Sequence, residues 1–493
     1  MSLAGDRIGA VQVYDSLVSR NVAIPTFAAP GAAQALFAVG RGSEGERLLL
    51  EASANAPADP GPVIRLAYLL HDARRSDAAR HYLQEWLDRS TSLTNITAEN
   101  RLAAVLALSR LDRWNESFSA SAERLAALAK TNPDNPSIRI EQAALQRQRG
   151  RPRAALALLG QDEGDAREIG AQAWLDLRRP DRAAALLGSG SSSDASARLA
   201  AQRASRGELS AGYANAQSPA IGSPTGNSET AVSLRIDGPL IADAWRVGAH
   251  LSRHQADFRG ITPRASYGGL RVVRQDTGGE TALEIGRTFD NFLRRNYGIL
   301  DAAYWVRDDV RLAARVAVND PEGPLQARAS GIGTDSLALS ATWRPNEAGR
   351  VDASVGTTHF DDGNRRNWGS LSGERRVRAN ASSVTTGFAS VYLSNNSLDI
   401  APYFNPARDT TVEVGLVQRL TDRRGDVHTL RPSIARYSQE GFDASWIPRL
   451  SYALRVPLHN YQWVQLDLGA ARPVYDGQRE TRLWLSLTYS WGE

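Results

Sequence analysis

The chain has seven histidines and no cysteine with which to do chemistry. Without Cys there are no disulfides, thiolate metal sites or Cys nucleophiles. The histidines are His71, His81, His250, His254, His359, His428 and His459. His250 and His254 stand four apart. On a strand that spacing shares a face but separates the rings by about 13 Å, too far to share one metal. No H-E-x-x-H, G-x-S-x-G or P-loop pattern occurs. Asp361-Asp362-Gly363-Asn364 lacks the spacing and final Glu of a calcium loop. Its residues suit a turn instead: Gly and Asn tolerate positive φ, and Asp bonds its own backbone. A catalytic pair of Asp361 and Asp362 is the alternative. Tyr475-Asp476-Gly477 reads as a similar turn. No catalytic, cofactor-binding or metal-binding residue is expected, and the chain does not read as an enzyme.

The charged residues become informative once placed on strands. From about residue 229 the apolar period is 2. Leu483, Leu485, Leu487, Tyr489 and Trp491 alternate with Trp484, Ser486, Thr488 and Ser490. The same alternation puts Glu284, Asp301, Asp352, Glu413 and Asp467 on the polar face, beside Arg246, Arg311 and Arg315. Charges that are costly against lipid are tolerable in a water-filled lumen. These residues are therefore candidate lumen and polymer contacts; plain solvation of a hydrophilic lumen is the other reading. Weak, repeated contacts with a passing cationic chain would suit conduction.

The elements that must position them are about sixteen strands without helices, an antiparallel transmembrane β-barrel over 229–493. A soluble sandwich also alternates. Two features favour the membrane: the unbroken run of strands, and aromatics at segment ends (Trp245, Tyr297, Trp305, Trp343, Trp446, Trp463, Trp491) where an interfacial girdle would lie. Residues 355–360 and 368 onward form one hairpin, with Arg365 and Arg366 at its rim.

Residues 1–210 have a helical period. "RRSDAARHYL" (74–83), "RGRPRAALALL" (149–159) and "RRPDRAAALL" (178–187) each pair a basic turn with an Ala-rich helix start. This is similar to degenerate tetratricopeptide (TPR) hairpins, with a generic helical bundle as the alternative. The first gap, about 75 residues, has room for two units of roughly 38. A TPR array offers a concave groove to a partner. Residues 211–228 read as a linker, within a Gly/Ser-rich stretch from 188 that also holds a short helix near 194–207.

The hydrophobic share is 42% and the charged share 23%, a globular balance. The net charge of +4 is spread along the chain, which argues against a nucleic-acid partner. Lys130 is the only lysine. No apolar run is long enough for a transmembrane helix, and the N-terminus lacks the pattern of a signal peptide. A barrel in an outer membrane needs such a peptide, so the expectation is a mature or N-terminally truncated chain.

Three stretches resemble the poly-β-1,6-N-acetylglucosamine export porin family: "HFDDGNRRNWG" (359–369), "SNNSLDIAPYFNPARDTTVEVGL" (394–416) and "RPVYDGQRETRLWLSLTYSW" (472–491). "DAWRVGAHLSRHQADF" (243–258) is similar to the family's first barrel strands. The family joins a periplasmic TPR region to a sixteen-stranded outer-membrane barrel; exporters of cellulose and Pel polysaccharide share the layout. The chain ends Trp491-Gly492-Glu493 rather than on a terminal aromatic, the usual assembly-signal ending. The resemblance implies export of a partly deacetylated, cationic exopolysaccharide for biofilm matrix. It also implies a periplasmic deacetylase or other export-system protein as partner, and outer-membrane lipid around the barrel. A TPR-barrel receptor or assembly scaffold, and a soluble adaptor with a β-sandwich, are the alternatives.

Overall fold

A computed structural model describes residues 6–160, 165–188, 193–217, 224, 226–258, 261–459 and 461–492. The chain divides into two compact units, one of Met1–Gln148 with Ala379–Ser382, the other of Arg149–Arg378 with Ser383–Glu493. The division lies at 148/149, not at the expected 210.

The first unit contains α1 (Arg7–Ser19), α2 (Ala29–Ala38), α3 (Gly42–Asn55), α4 (Gly61–Asp72), α5 (Ser76–Ser90), α6 (Ala98–Trp114), α7 (Phe118–Thr131) and α8 (Pro136–Gln148). Three hairpins, α2/α3, α4/α5 and α6/α7, turn by the same device. Gly40, Arg74 and Glu116 have positive φ. The next N–H then returns to the helix it has left: Arg41 to Leu36, Arg75 to Leu70 and Ser117 to Asp112, each at 2.8 Å. This is a Schellman closure, which satisfies carbonyls the helix end would strand. The left-handed residues recur 34, 42 and 34 positions apart, at 40, 74, 116 and 150. The long gap in the sequence therefore does hold two units, unequal because α6 runs to 17 residues after a loop. Leu36, Leu49, Leu66, Leu70, Leu83 and Leu108 fill the core, with Ala33, Ala67 and Ala79 where helices approach. Asp112 is fully buried and pairs with Arg80 and Arg124 at 2.9 Å each, linking α5, α6 and α7.

The second unit opens with α9 (Pro152–Leu158), α10 (Asp165–Asp176), α11 (Pro180–Leu187) and α12 (Asp194–Arg203). The barrel follows as β1 (Arg206–Gln217), β2 (Ser228–Asp237), β3 (Trp245–Ala256), β4 (Arg264–Asp276), β5 (Gly279–Thr288), β6 (Asn296–Trp305), β7 (Val310–Val318) and β8 (Thr334–Asn346). It continues through β9 (Gly349–Phe360), β10 (Arg365–Asn380), β11 (Ser383–Asn396), β12 (Arg408–Thr421), β13 (Val427–Gln439), β14 (Ser445–His459) and β15 (Gln462–Ala471). A two-stranded hairpin, β16 (Val474–Tyr475) with β17 (Gln478–Arg479), precedes the last barrel strand, β18 (Thr481–Trp491). Sixteen strands close antiparallel, β18 pairing β1 with Leu485 opposite Tyr213.

Closure leaves no strand edge, the condition for crossing lipid with strands. Leu483, Leu485, Leu487, Val412, Val414 and Leu416 are exposed on the outer face. A sandwich would bury that face; here the buried face carries the polar groups, including Arg271, Glu284 and Glu413. No helix among the described residues is long and apolar enough to cross a membrane.

Three expectations need correction. The first strand starts at Arg206, so the barrel does not begin at 229, and residues 206–217 belong to β1 rather than to helix or linker. Only Leu209 and Tyr213 are large apolar residues on its outer face, with Ala211 between them, so the period is faint. Residues 218–223 and 225 of the expected linker, and 189–192 of the Gly/Ser stretch, lie outside the described residues. A helix does interrupt the strands: α13 (Leu325–Ala329) lies in the β7–β8 loop. Within the aromatic girdle, Trp245, Trp343 and Trp446 are exposed on the outer face. Tyr297, however, is buried on the lumen side, and Trp305 and Trp463 share the inward parity of Asp301 and Asp467. "WRVGAHLSRHQA" is the third strand, among the first strands of the barrel.

Helices α9–α12 are fixed to the turns at the barrel end where β1 starts. Asp308 accepts from the backbone of Arg153 and Ala154 at 3.2 and 3.0 Å. Arg149 pairs with Glu347 at 3.0 Å, Arg178 with Glu280 at 3.0 Å and Arg203 with Asp243 at 2.6 Å. Arg246, expected among the lumen charges, is buried at this junction and donates to the carbonyls of Gln202, Ala204 and Gly238.

Candidate functional site

Alternation places all five expected carboxylates inward, and the structure then gives each a partner. Glu284 is buried and accepts from the Tyr297 hydroxyl at 2.8 Å, with His250 at 3.2 Å. Asp301 faces Arg315 across the β6–β7 pair at 3.4 Å. Asp352 pairs with Arg350 at 2.7 Å and accepts from Thr342 at 2.6 Å. Glu413 accepts from Ser433 at 2.6 Å and meets Arg449 at 3.3 Å. Asp467 differs: it accepts from Gln465 at 2.9 Å, and no described cation lies within 4 Å of it. Arg315 also reaches Glu322 at 2.8 Å, while Arg311 is exposed on the same strand without a described acidic partner. Three carboxylates are thus paired with arginine, and a fourth, Glu284, is buried and hydrogen-bonded, so they offer little free negative charge to a cationic chain. His250 and His254 share the inward face of β3 but serve different carboxylates, His254 lying 4.0 Å from Glu229.

The lumen also has an aromatic pattern that alternation alone does not single out. Trp368 stands opposite Gly356, Phe388 opposite Gly415 and Trp484 opposite Gly469. A Cβ at any of these glycines would fall within 2.6 Å of the facing ring. The missing side chain lets each ring lie along the wall. Trp368 also stacks on Tyr392, centroids 6.5 Å apart and planes 22° from parallel. Rings laid along a wet wall present a face to the apolar C–H side of a pyranose.

At the other end of the barrel from α12, the three stretches behind the family resemblance meet. Asp361-Asp362-Gly363-Asn364 is the β9–β10 turn: Gly363 has φ +89°, and Asn364 N–H donates to Asp362 at 3.0 Å. Asp361 is not free; it pairs with Arg295 at 2.6 Å. Asn364 has no exposed surface. Its amide donates to Asn405 at 2.7 Å, Tyr403 at 3.0 Å and Asn396 at 3.2 Å, and its oxygen accepts from the Ser397 and Leu398 backbone at 3.1 and 3.2 Å. Tyr403 donates to Asp362 at 3.0 Å and stacks on Phe360 at 4.6 Å. Arg366, inward on β10, donates to Asn396 at 3.0 Å and to the Phe404 carbonyl. Arg365 lies on the outward parity of the same strand. Phe404 in turn packs edge-on against Tyr475 at 5.1 Å, and Gln439 donates to Asp476 at 2.6 Å. Asp476 and Gly477 have φ +49° and +73°, the hairpin turn expected there. Loop 397–407 is therefore held by turn residues whose types suggest only turns.

The family model for the PgaA membrane beta barrel domain matches residues 209–491. The chain belongs to this family. Among solved structures, a bacterial polysaccharide outer membrane secretin is similar at 19% identity, TM-score 0.54, over 59% of this chain and 98% of that one. CdiB from Acinetobacter baumannii aligns at 8% identity, TM-score 0.38, over 58% of this chain and 60% of its own. The channel DcaP of Acinetobacter baumannii aligns at 12%, TM-score 0.33, over 58% and 96%. No curated protein matches. The protein is an outer-membrane β-barrel of the PgaA type preceded by a periplasmic helical region, so the end bearing α12 is periplasmic and the Asn364 cluster lies at the outer face.

In the first unit, a groove of about 960 Å³ is lined by Phe27, Pro30, Gln34, Ile64, Arg65 and Tyr68. Phe27 is 88% exposed there. Among the described residues no His, Cys, Asp and Glu group could hold a metal.

Proposed function

We propose that this protein exports an exopolysaccharide through its barrel, with poly-β-1,6-N-acetylglucosamine as the first candidate polymer and biofilm matrix as its destination. What carries the reading is a closed barrel of an exporter family whose wall combines hydrogen-bonding groups with aromatic rings laid over glycines. A hydrophilic polymer needs such a wall: polar enough to stay wet, and weakly adhesive enough to pass. The groove of the first unit is the proposed docking place for a periplasmic deacetylase, another export-system protein or the polymer. Of the five expected inward carboxylates, Asp467 is the one without a described cationic partner and so the one most available for a polymer contact. The alternative is a receptor or scaffold that uses the barrel as an anchor. It would favour long outer loops, whereas the longest described one spans only 319–333.

Proteoliposomes holding the protein and fluorescently labelled N-acetylglucosamine oligomers test this. Protein-dependent efflux of the oligomers, with retention of a folded protein cargo, is expected. Efflux no faster than from empty liposomes would favour the scaffold.

A further inference from the structure

The lipid-facing side of β3–β5 changes character towards its outer end. Two consecutive outward rungs are apolar: Val247, Val272 and Leu283, then Ala249, Leu270 and Ile285. All six are exposed. The next rungs carry arginine. Arg287 of β5 lies beside Gly268 of β4, Arg253 of β3 opposite Ser266, and Arg264 of β4 opposite Gln255. The three arginines are exposed, and among the described residues none has an acidic, hydrogen-bonding or aromatic partner.

No carboxylate faces out at the outer ends of these three strands. Asp257, just past β3, is half-buried and accepts from Asn227 at 3.4 Å. Elsewhere on the outer rim the outward arginines are engaged or single. Arg365 shares a rung with Asp335, Arg408 meets Glu440 at 3.8 Å, Arg436 lies over Trp446 at 5.5 Å, and Arg472 follows β15 alone.

Strand spacing and rise put the Cα of Arg253 roughly 8 Å from that of Arg264 and roughly 12 Å from that of Arg287. Two extended arginine side chains span either distance. Ser266 and Gly268, outward on the middle strand, put no bulky polar group between them. Leu251 and Phe289 close over Gly268 instead, and Phe289 is 60% exposed. Arginine facing lipid is costly at the bilayer midplane and tolerated near the interface. Above two apolar rungs, these guanidiniums reach the level where headgroups begin. Their planar forks of donors match phosphate oxygens.

We propose that Arg253, Arg264 and Arg287 form a site on the outer wall of the barrel for the phosphate of an outer-leaflet glycolipid. Leu251, Phe289 and the apolar rungs below take its acyl chains. The site faces away from the lumen, so it rests on the membrane orientation of the barrel and not on what the barrel carries.

The test uses the full chain in mixed micelles, with bisphosphorylated lipid A, phosphatidylcholine and inorganic phosphate as probes and native mass spectrometry to read retained lipid. Lipid A should bind at least tenfold more tightly than phosphatidylcholine, and less tightly as salt rises. The triple variant Arg253→Gln, Arg264→Gln, Arg287→Gln should bind lipid A at least tenfold more weakly. The variant Arg365→Gln, Arg408→Gln, Arg472→Gln loses the same charge elsewhere on the rim and should bind as the parent does. Heat-modifiable gel mobility shows that both are folded. If the first triple variant does not fold, Arg253→Gln alone should weaken binding at least threefold. Unchanged lipid A binding by the folded triple variant, or by Arg253→Gln in its place, would overturn the proposal. So would an equal loss in the second variant, or phosphatidylcholine binding as tight as that of lipid A. Displacement of lipid A by millimolar inorganic phosphate at constant ionic strength would make this an ion site and overturn the lipid assignment.

Discussion

The amide nitrogen of Asn364 stands 3.0 Å from the hydroxyl of Tyr403, joining the β9–β10 turn to a loop 39 residues later in the chain. Around this bond a fully buried Asn satisfies its amide donors and its carbonyl oxygen. Removing one member of such a network leaves the others buried without partners, at about 1–3 kcal/mol each. Asn364→Ala should therefore free loop 397–407 while leaving the barrel closed. Limited proteolysis in detergent checks this: cleavage within 397–407 should accelerate at least tenfold, with heat-modifiable gel mobility unchanged.

The inward carboxylates should not respond alike to mutation. Glu413 is neutralised by Arg449, whereas Asp467 has only Gln465. Asp467→Arg should therefore shift ion selectivity further towards anions than Glu413→Gln does. Reversal potentials in the same salt gradient measure both. Unchanged export by the Glu413→Arg, Asp467→Arg double variant would leave neither carboxylate a role in passage.

Parity along β18 decides cost. Leu485 is exposed on the outer face and its neighbour Ser486 faces inward, opposite Asp467. Leu485→Arg should cost about 2–4 kcal/mol near the bilayer midplane, and Ser486→Arg far less. Urea or guanidinium unfolding in lipid vesicles gives the two values. Equal costs would contradict the assignment of faces.

In the helical region Glu46 joins α3 to α5, pairing with Arg75 at 2.6 Å and accepting from Tyr82 at 2.9 Å. Burial pushes its carboxyl up, but the Arg75 and Tyr82 hydrogen bonds outweigh that and hold it below the usual carboxylate range. A depressed folded pKa gives stability above the unfolded value and loses it as pH falls through the folded value. The helical signal at 222 nm should melt progressively earlier below about pH 4.5. Glu46→Gln should lower the neutral melting temperature and flatten that acid slope.

The period-2 pattern made the barrel legible because one-residue alternation fixes which side chains meet lipid. It placed Glu284, Asp301, Asp352, Glu413 and Asp467 inward, but not their partners, because Arg315 and Arg449 are set by cross-strand register. β1 was hidden because its outer face has few large apolar residues. Trp305 and Trp463 are indistinguishable from girdle residues in the sequence, because an aromatic at a strand end has either parity until the register is known. The Asn364 cluster was beyond reach for another reason: turn-forming Asn and Asp look alike in a sequence whether they end at a solvated tip or bury a loop. The cross-strand Gly356–Trp368 and Gly469–Trp484 pairs carried a faint signal, glycine in a strand interior. It means little until the facing residue is identified.

Export is tested most directly by deleting the gene in its host and comparing released with periplasm-retained polysaccharide, both digested with a β-1,6-hexosaminidase. Polymer trapped in the mutant and released again on complementation is the predicted result; sensitivity to the enzyme would identify poly-β-1,6-N-acetylglucosamine, and resistance a different glycan. Normal release of all polysaccharide from the mutant would contradict export and leave the barrel as an anchor.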